Sequence, residues 1–239
     1  MLRTVTILAL LAVLAVPALA ADEPDPVDEA LKRMKDKEQP ARLAGTAAAA
    51  KLQDAKITSQ LVKLLKDKDW HVRQLSIEAL RVRTGDRDRK KAALALASRL
   101  GALSKSSKTS DEYLQTIGAL GDLARKETVT ALLDIDLDTP RGTAKARLMA
   151  AAEAPYPETV DALIKFISKG RKKDSNRQRQ QGVLALRHLT GVSLGHDPDK
   201  WRAWWKDNRA TYSLTAVKED REAKAREAEE RAKKKEEQR

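Results

Sequence analysis

Apolar and polar positions recur with the period of an amphipathic helix through most of the chain between residues 27 and 190. The clearest stretch is KDWHVRQLSIEALRVRTG at 68–85. Its small and apolar residues fall at i, i+3, i+4, i+7 and i+8, which places them on one helical face. These residues are Val72, Leu75, Ser76, Ala79 and Leu80. The stretch therefore predicts a helix that stops at Thr84-Gly85.

Parts of this stretch recur elsewhere in the chain. ALRHLTG at 185–191 repeats ALRVRTG at 79–85, and a weaker copy, ALG, begins at Ala119. A partial copy around Arg42 lies 31 residues before the matching Arg73. Repeats of about 30 to 40 residues that consist only of amphipathic helix pairs are typical of an α-solenoid.

The pattern predicts ten helices in five consecutive pairs. Polar turns separate them, such as Asp67-Lys68-Asp69, whose side chains can cap the next helix. Alternating apolar runs bounded by turn residues are absent from the sequence, and its 3% aromatic content suits helices packed closely through small side chains. The predicted fold is all-α. The predicted helices are 27–37, 40–52, 57–66, 70–83, 88–103, 110–124, 127–135, 140–154, 157–168 and 175–189.

The helix pairs resemble the HEAT-repeat family. That family has a leucine-rich first helix, an acidic turn, and Val-Arg and Ala-Leu in the second helix. The residues that carry the resemblance are Leu64-Leu65, Asp69, Val72-Arg73, Ser76 and Ala79-Leu80. The resemblance covers about residues 27–190, and it is closest in the second and fifth pairs. It implies a HEAT-like superhelix of about five helix pairs.

In HEAT repeats an Asp and an Arg of successive repeats form a polar ladder inside the turns. The resemblance implies this structural role for Asp69 with Arg73. Comparable places are occupied by Arg42, Arg141 and Arg179. Arg147 stands in the fourth pair where a small residue is expected, which leaves the register of that pair open.

The segment after the fifth pair, TGVSLGHDPDKWRAWWKDN at 190–208, contains three of the four tryptophans. Asp197 is a predicted N-cap, and Trp201, Trp204 and Trp205 share one helical face. The segment resembles the Gly-x-Asp-Pro-x-x-Trp-x-x-Trp-Trp ending of many exported bacterial HEAT-repeat proteins. We expect residues 191–212 to form a helix that covers the end of the stack, because an open last repeat exposes an apolar face. The alternative is an aromatic platform for a sugar or a base, with Trp205 or Trp70 exposed.

Both ends of the chain differ in composition from the repeats. Residues 1–20 have the positive start, apolar core and Ala-x-Ala exit of a signal peptide, with cleavage predicted before Ala21. The alternative is an uncleaved signal anchor. Residues 21–26 form a short acidic leader. Residues 213–239 carry interleaved opposite charges from Lys218 onward, so we expect a solvated helical or disordered tail. The predicted location is periplasmic or secreted, in a bacterium, without stable membrane insertion after cleavage.

Reactive side chains follow no known catalytic or metal-binding pattern. The sequence has no cysteine, which excludes disulfides, thiolate catalysis and cysteine-ligated zinc. His71, His188 and His196 lack the spacing of metal ligands. The Asp-x-Asp-x-Asp run from Asp134 lacks the Gly and Glu of a calcium loop, and Ser193 lies in no nucleophile motif. We therefore predict no enzymatic activity, no cofactor and no metal.

The net charge of +12 implies some attraction to polyanions, but it does not identify a partner. The leading hypothesis is a non-catalytic scaffold of the cell envelope that binds another protein along the concave face formed by the second helices. The alternative is an Arg-lined groove that binds nucleic acid or an acidic polymer. The candidate partner-binding residues are Arg81, Arg83, Arg177, Arg187, Lys169, Arg171, Lys172 and Lys173. The candidate structural residues are Asp69, Arg73, Arg179, Asp197, Trp201, Trp204 and Trp205.

Overall fold

The computed structural model describes residues 24–105, 111–134, 142–168 and 175–237. These ranges contain twelve helices and no strand, so the predicted all-α fold is confirmed. The predicted signal peptide lies outside them. The helices are α1 (Pro26–Met34), α2 (Gln39–Ala49), α3 (Ala55–Leu64), α4 (Trp70–Arg81), α5 (Asp86–Leu103), α6 (Asp111–Leu123), α7 (Lys126–Asp134), α8 (Ala144–Ala152), α9 (Pro157–Ser168), α10 (Ser175–Thr190), α11 (Pro198–Asn208) and α12 (Leu214–Glu237).

Aspartate side chains begin several of these helices. Asp69 Oδ1 accepts hydrogen bonds from the backbone N–H groups of His71 and Val72, at 2.9 and 3.1 Å. Asp197 accepts from Asp199 N at 2.9 Å, and Pro198 is the first residue of α11. Such a side chain satisfies N–H groups that have no partner inside the helix, so it fixes where the helix starts.

Consecutive helices pack in pairs, and the pairs follow one another in order. The two helices of each pair, from α1–α2 to α9–α10, contact each other. The odd-numbered helices α1, α3, α5, α7, α9 and α11 also contact one another in sequence. The even-numbered helices α2, α4, α6, α8, α10 and α12 do the same. We call these two sets the odd layer and the even layer.

The core lies between the two layers and runs along their length. One cluster of buried apolar side chains extends from Ala30 of α1 to Ala151 of α8, and a second extends from Ala144 to Leu214. Leu133 packs against both clusters. Small residues allow close approach of neighbouring helices: a Cβ atom on Gly121 of α6 would lie 3.2 Å from the Cα of Ala150 in α8. Because it packs against both clusters, Leu133 of α7 lies where the two clusters meet.

The structure gives the register of the fourth pair, α7–α8. Arg147 is the fourth residue of α8, as Arg42 is of α2 and Arg73 is of α4. It is fully buried. Ala150 follows Arg147 by three residues, as Ser76 follows Arg73. Arg147 thus stands at the position of the other two turn arginines, and Ala150 supplies the small residue that the repeat pattern requires.

Helices α11 and α12 extend the two layers beyond the fifth pair. Trp201 and Trp205 of α11 are buried in the second core cluster, and Trp204 packs against it. The indole N–H of Trp201 donates to Gly195 O at 2.9 Å. In α12, Leu214 is buried in the same cluster, so the first turn of the charged tail belongs to the folded core. None of the described helices is both long enough and apolar enough to cross a membrane.

Candidate binding surfaces

Arg42 joins the turn of its own helix pair to the turn of the next pair. Its Nε and Nη2 atoms donate to the two carboxylate oxygens of Asp67, at 2.9 and 3.1 Å. Its Nη1 donates to the backbone carbonyls of Asp36 and Lys37, at 3.1 and 2.7 Å. The guanidinium is buried, so its charge is compensated by a bidentate ion pair rather than by water.

Arg73 repeats this arrangement one pair later. Its Nη1 donates to the carbonyls of Asp67 and Lys68, at 2.9 and 3.2 Å, and its Nη2 lies 3.0 Å from Glu112 Oε2. Glu112 also pairs with Arg99 of α5. The predicted partners Asp69 and Arg73 therefore both lie in the chain of turn contacts, but the carboxylate that pairs with Arg73 belongs to Glu112.

Asp69 has its own cross-pair contact. Its Oδ2 accepts from Gln39 Nε2 of the first pair at 2.7 Å. The side chain thus caps α4 and contacts the preceding pair at the same time. Arg179 is half-buried in α10, and Arg141 lies outside the described residues.

Arg83 is buried instead of facing a partner. Its exposed fraction is 3%, and burial lowers the pKa of its guanidinium. It donates to the carbonyls of Leu52, Ala79, Ala50 and Ala49, at 2.6, 2.8, 3.1 and 3.2 Å. These include carbonyls at the end of α2, which lack partners inside the helix. The prediction that Arg83 binds a partner does not fit this burial, and we assign it a structural role.

The other predicted cations that the structure describes differ in their surroundings. Arg81 of α4 pairs with Asp122 of α6 and lies 3.3 Å from Glu78. Arg177 and Arg187 of α10 are exposed and form no ion pair within the described ranges. Lys169, Arg171, Lys172 and Lys173 lie outside the described residues. In the first two helix pairs, the arginines of the second helices are therefore buried or ion-paired. In the fifth pair, Arg177 and Arg187 are exposed.

An apolar groove runs across the outer face of the even layer, over α2, α4 and α6. It has a volume of about 490 Å³. We call it the second-helix groove, and it is lined by Leu43, Ala44, Ala47, His71, Gln74, Leu75, Glu78 and Gln115. Gln115 Nε2 donates to Glu78 Oε1 at 2.8 Å, which occupies part of the polar lining.

Exposed apolar side chains also lie beside the groove and farther along the even layer. Leu114 precedes the lining residue Gln115 in α6 and is 45% exposed, and Leu184, on α10, is exposed to the same extent. Trp70, at the start of α4, is 47% exposed, and its ring lies 4.0 Å from that of His71 in the groove. Large apolar residues that remain exposed together on one face are typical of an interaction surface.

A cluster of charged groups holds α12 against α8 and α10. Glu153 Oε1 lies 2.5 Å from His188 Nε2, and Glu153 Oε2 accepts from Arg221 Nη2 at 2.7 Å. Lys218 Nζ donates to the Glu153 carbonyl at 3.0 Å. Burial acts to raise the pKa of Glu153, but the hydrogen bond from His188 and the charges of Arg221 and Lys218 outweigh it and lower that pKa. These contacts fix the first two turns of α12 to the end of α8 and to α10.

Within the described ranges, His, Asp and Glu residues form no group of three or more that could hold a metal ion. A scan against protein-family models and a search of curated proteins found no match to this chain.

Proposed function

We propose that the protein is a HEAT-like α-solenoid that binds another protein and carries out no catalysis of its own. The ordered packing of the odd and even layers supports the solenoid, because each helix pair contacts mainly its neighbours along the chain. The turn contacts of Arg42 and Arg73 support the HEAT-like class, since each arginine contacts its own turn and the following pair.

The second-helix groove is the proposed binding face. Its apolar lining, together with exposed Leu114 and Trp70, is the observation that carries the proposal. The arginines on this part of the molecule are buried or paired, so the groove attracts apolar rather than anionic groups. Removing such apolar area from water contributes about 25 cal/mol per Å².

The proposed occupant is an amphipathic helix of the partner. A helix satisfies its own backbone hydrogen bonds, whereas an extended strand must find partners for its N–H and C=O groups. The groove has no open strand edge, and its polar groups are the side chains of His71, Gln74, Glu78 and Gln115. Gln115 Nε2 already donates to Glu78 Oε1. Ala44 and Ala47 leave room for large side chains of an approaching helix.

The experiment replaces Gln74, which lines the groove, by a photo-crosslinking phenylalanine in the organism that expresses the protein. We expect a cross-link to one protein that contains an amphipathic helix. Binding of that purified protein should then weaken at least tenfold in Leu114→Glu, about 1.4 kcal/mol. The control is Leu94→Glu on α5, because Leu94 is similarly exposed at 49% but lies in the odd layer. The proposal fails if both variants bind equally, or if the same cross-link forms from position 94.

We also propose that the protein is exported to the periplasm or the medium. The support is the sequence of residues 1–20, with its positive start, apolar core and Ala-x-Ala exit. We expect mass spectrometry of the protein from its native host to show a chain that begins at Ala21. A chain that retains residues 1–20 would instead indicate a signal anchor.

A further inference from the structure

A second groove lies in the odd layer, between α9 and α11, and is independent of the proposed protein-binding face. Its volume is about 580 Å³, which is within the range of ligand sites. We call it the α9–α11 groove, and it is lined by Asp161, Ile164, Lys165, Ser168, Arg202, Trp205, Lys206 and Arg209. Four of these eight residues are cations and one is an anion, a net charge of +3.

Asp161 is the one carboxylate in the groove lining, and both of its oxygens already accept hydrogen bonds from other side chains of the protein. Asp161 Oδ1 accepts from the indole N–H of Trp205 at 2.8 Å, and Asp161 Oδ2 accepts from Arg209 Nη2 at 2.8 Å. These contacts fix Arg209 at the edge of the groove. The buried indole of Trp205 therefore links α11 to α9 at the base of the groove.

The other three cations of the lining differ in whether a carboxylate of the described residues pairs with them. Arg202 pairs with Asp199 and donates to Ser168 Oγ at 3.2 Å. Lys165 of α9 and Lys206 of α11 are exposed and form no ion pair within the described part of the chain. Two ammonium groups from opposite walls of the groove are therefore available to a ligand.

The hydrogen-bonding character of the groove restricts the ligand. Lysine and arginine side chains are donors only, and the side-chain acceptors in the lining are Asp161 and Ser168. A peptide brings backbone N–H donors that would find few acceptors there. Nucleobases bring donors as well and gain most from an exposed aromatic ring, but Trp205 is buried. A chain of phosphate groups brings acceptors and dense negative charge.

We propose that the α9–α11 groove binds a linear phosphate polymer, with Lys165 and Lys206 contacting successive phosphates. This site differs in place and in residues from an Arg-lined groove along the second helices. Arg202 and Arg209, oriented by Asp199 and Asp161, bound the path of the polymer. The proposal does not depend on the protein partner of the second-helix groove.

The test measures binding of inorganic polyphosphate to the purified protein and to the double variant Lys165→Gln/Lys206→Gln. Neither lysine is buried, so the variant keeps the fold intact. We expect affinity to fall at least tenfold at low salt. The plot of log affinity against log salt should become less steep by about 1.5, since each lost phosphate contact removes roughly 0.7 to 0.9.

The matched control is Lys56→Gln/Lys63→Gln on α3, which removes the same charge from another exposed part of the odd layer. We expect less than a twofold change. Equal losses in both double variants would show attraction to net charge alone and overturn the site. Polyglutamate is the second probe: binding as tight as that of polyphosphate would assign the groove to an acidic protein segment and overturn the phosphate proposal.

Discussion

The substitution Trp201→Ala is expected to lower the free energy of unfolding by about 4 kcal/mol, a cost typical of removing a fully buried aromatic side chain. Trp201 is 0% exposed and is among the largest fully buried side chains of the described protein. Its ring packs edge-on against Trp204, with the centroids 6.1 Å apart. Truncation would leave a cavity in the second core cluster and remove the hydrogen bond from the indole N–H to Gly195 O.

Urea denaturation followed by circular dichroism measures this effect without depending on tryptophan fluorescence. The control is Trp70→Ala, which removes a ring that is 47% exposed and is expected to cost less than about 1 kcal/mol. Similar costs for the two variants would mean that α11 contributes little to the core, and would contradict the packing described above.

The tryptophan segment was predictable because its spacing and its chemistry agree. Residues at i, i+3 and i+4 share one helical face, and three large rings on one face favour burial. Asp197 and Pro198 mark the start of the helix by local rules. Helix positions throughout 27–190 follow from the same kind of local signal, which is why the ten predicted helices correspond to α1 to α10.

The contacts between helix pairs were less predictable, because they depend on which turns become neighbours in space. Glu112 lies 39 residues from Arg73, and nothing in the local pattern around it indicates a buried ion pair. Arg83 stands in the repeated ALRVRTG segment, where it looks like a surface cation. Its burial follows from the position of the end of α2, which the sequence of α4 does not reveal.

The positions of the arginine side chains show why the net charge of the chain does not indicate which surface binds a partner. The chain carries +12, yet Arg42, Arg73 and Arg83 are used inside the fold, and Arg81 is paired with Asp122. None of these arginines lines the second-helix groove. Cations that form no ion pair within the described ranges include Arg177 and Arg187 of α10 in the even layer as well as Lys165 and Lys206 in the α9–α11 groove.

The substitution Glu112→Gln is expected to lower the free energy of unfolding by about 3 kcal/mol, because it leaves guanidinium groups without their buried counter-charge. The Glu112 side chain is 9% exposed and pairs with both Arg73 and Arg99. Glutamine keeps the shape but removes the charge. Its amide N–H₂ group would also place a donor against guanidinium donors, which offer no acceptor.

The matched comparison is Asp122→Asn, which neutralises the carboxylate paired with Arg81 on the surface. The side chains of Arg81 and Asp122 are 45% and 46% exposed, so water replaces the lost contact. We expect a cost below about 1 kcal/mol, as is usual for exposed ion pairs. Urea denaturation of both variants at low and high salt separates the two cases. A cost for Glu112→Gln that is as small as that for Asp122→Asn would show that the turn contacts do not hold consecutive helix pairs together.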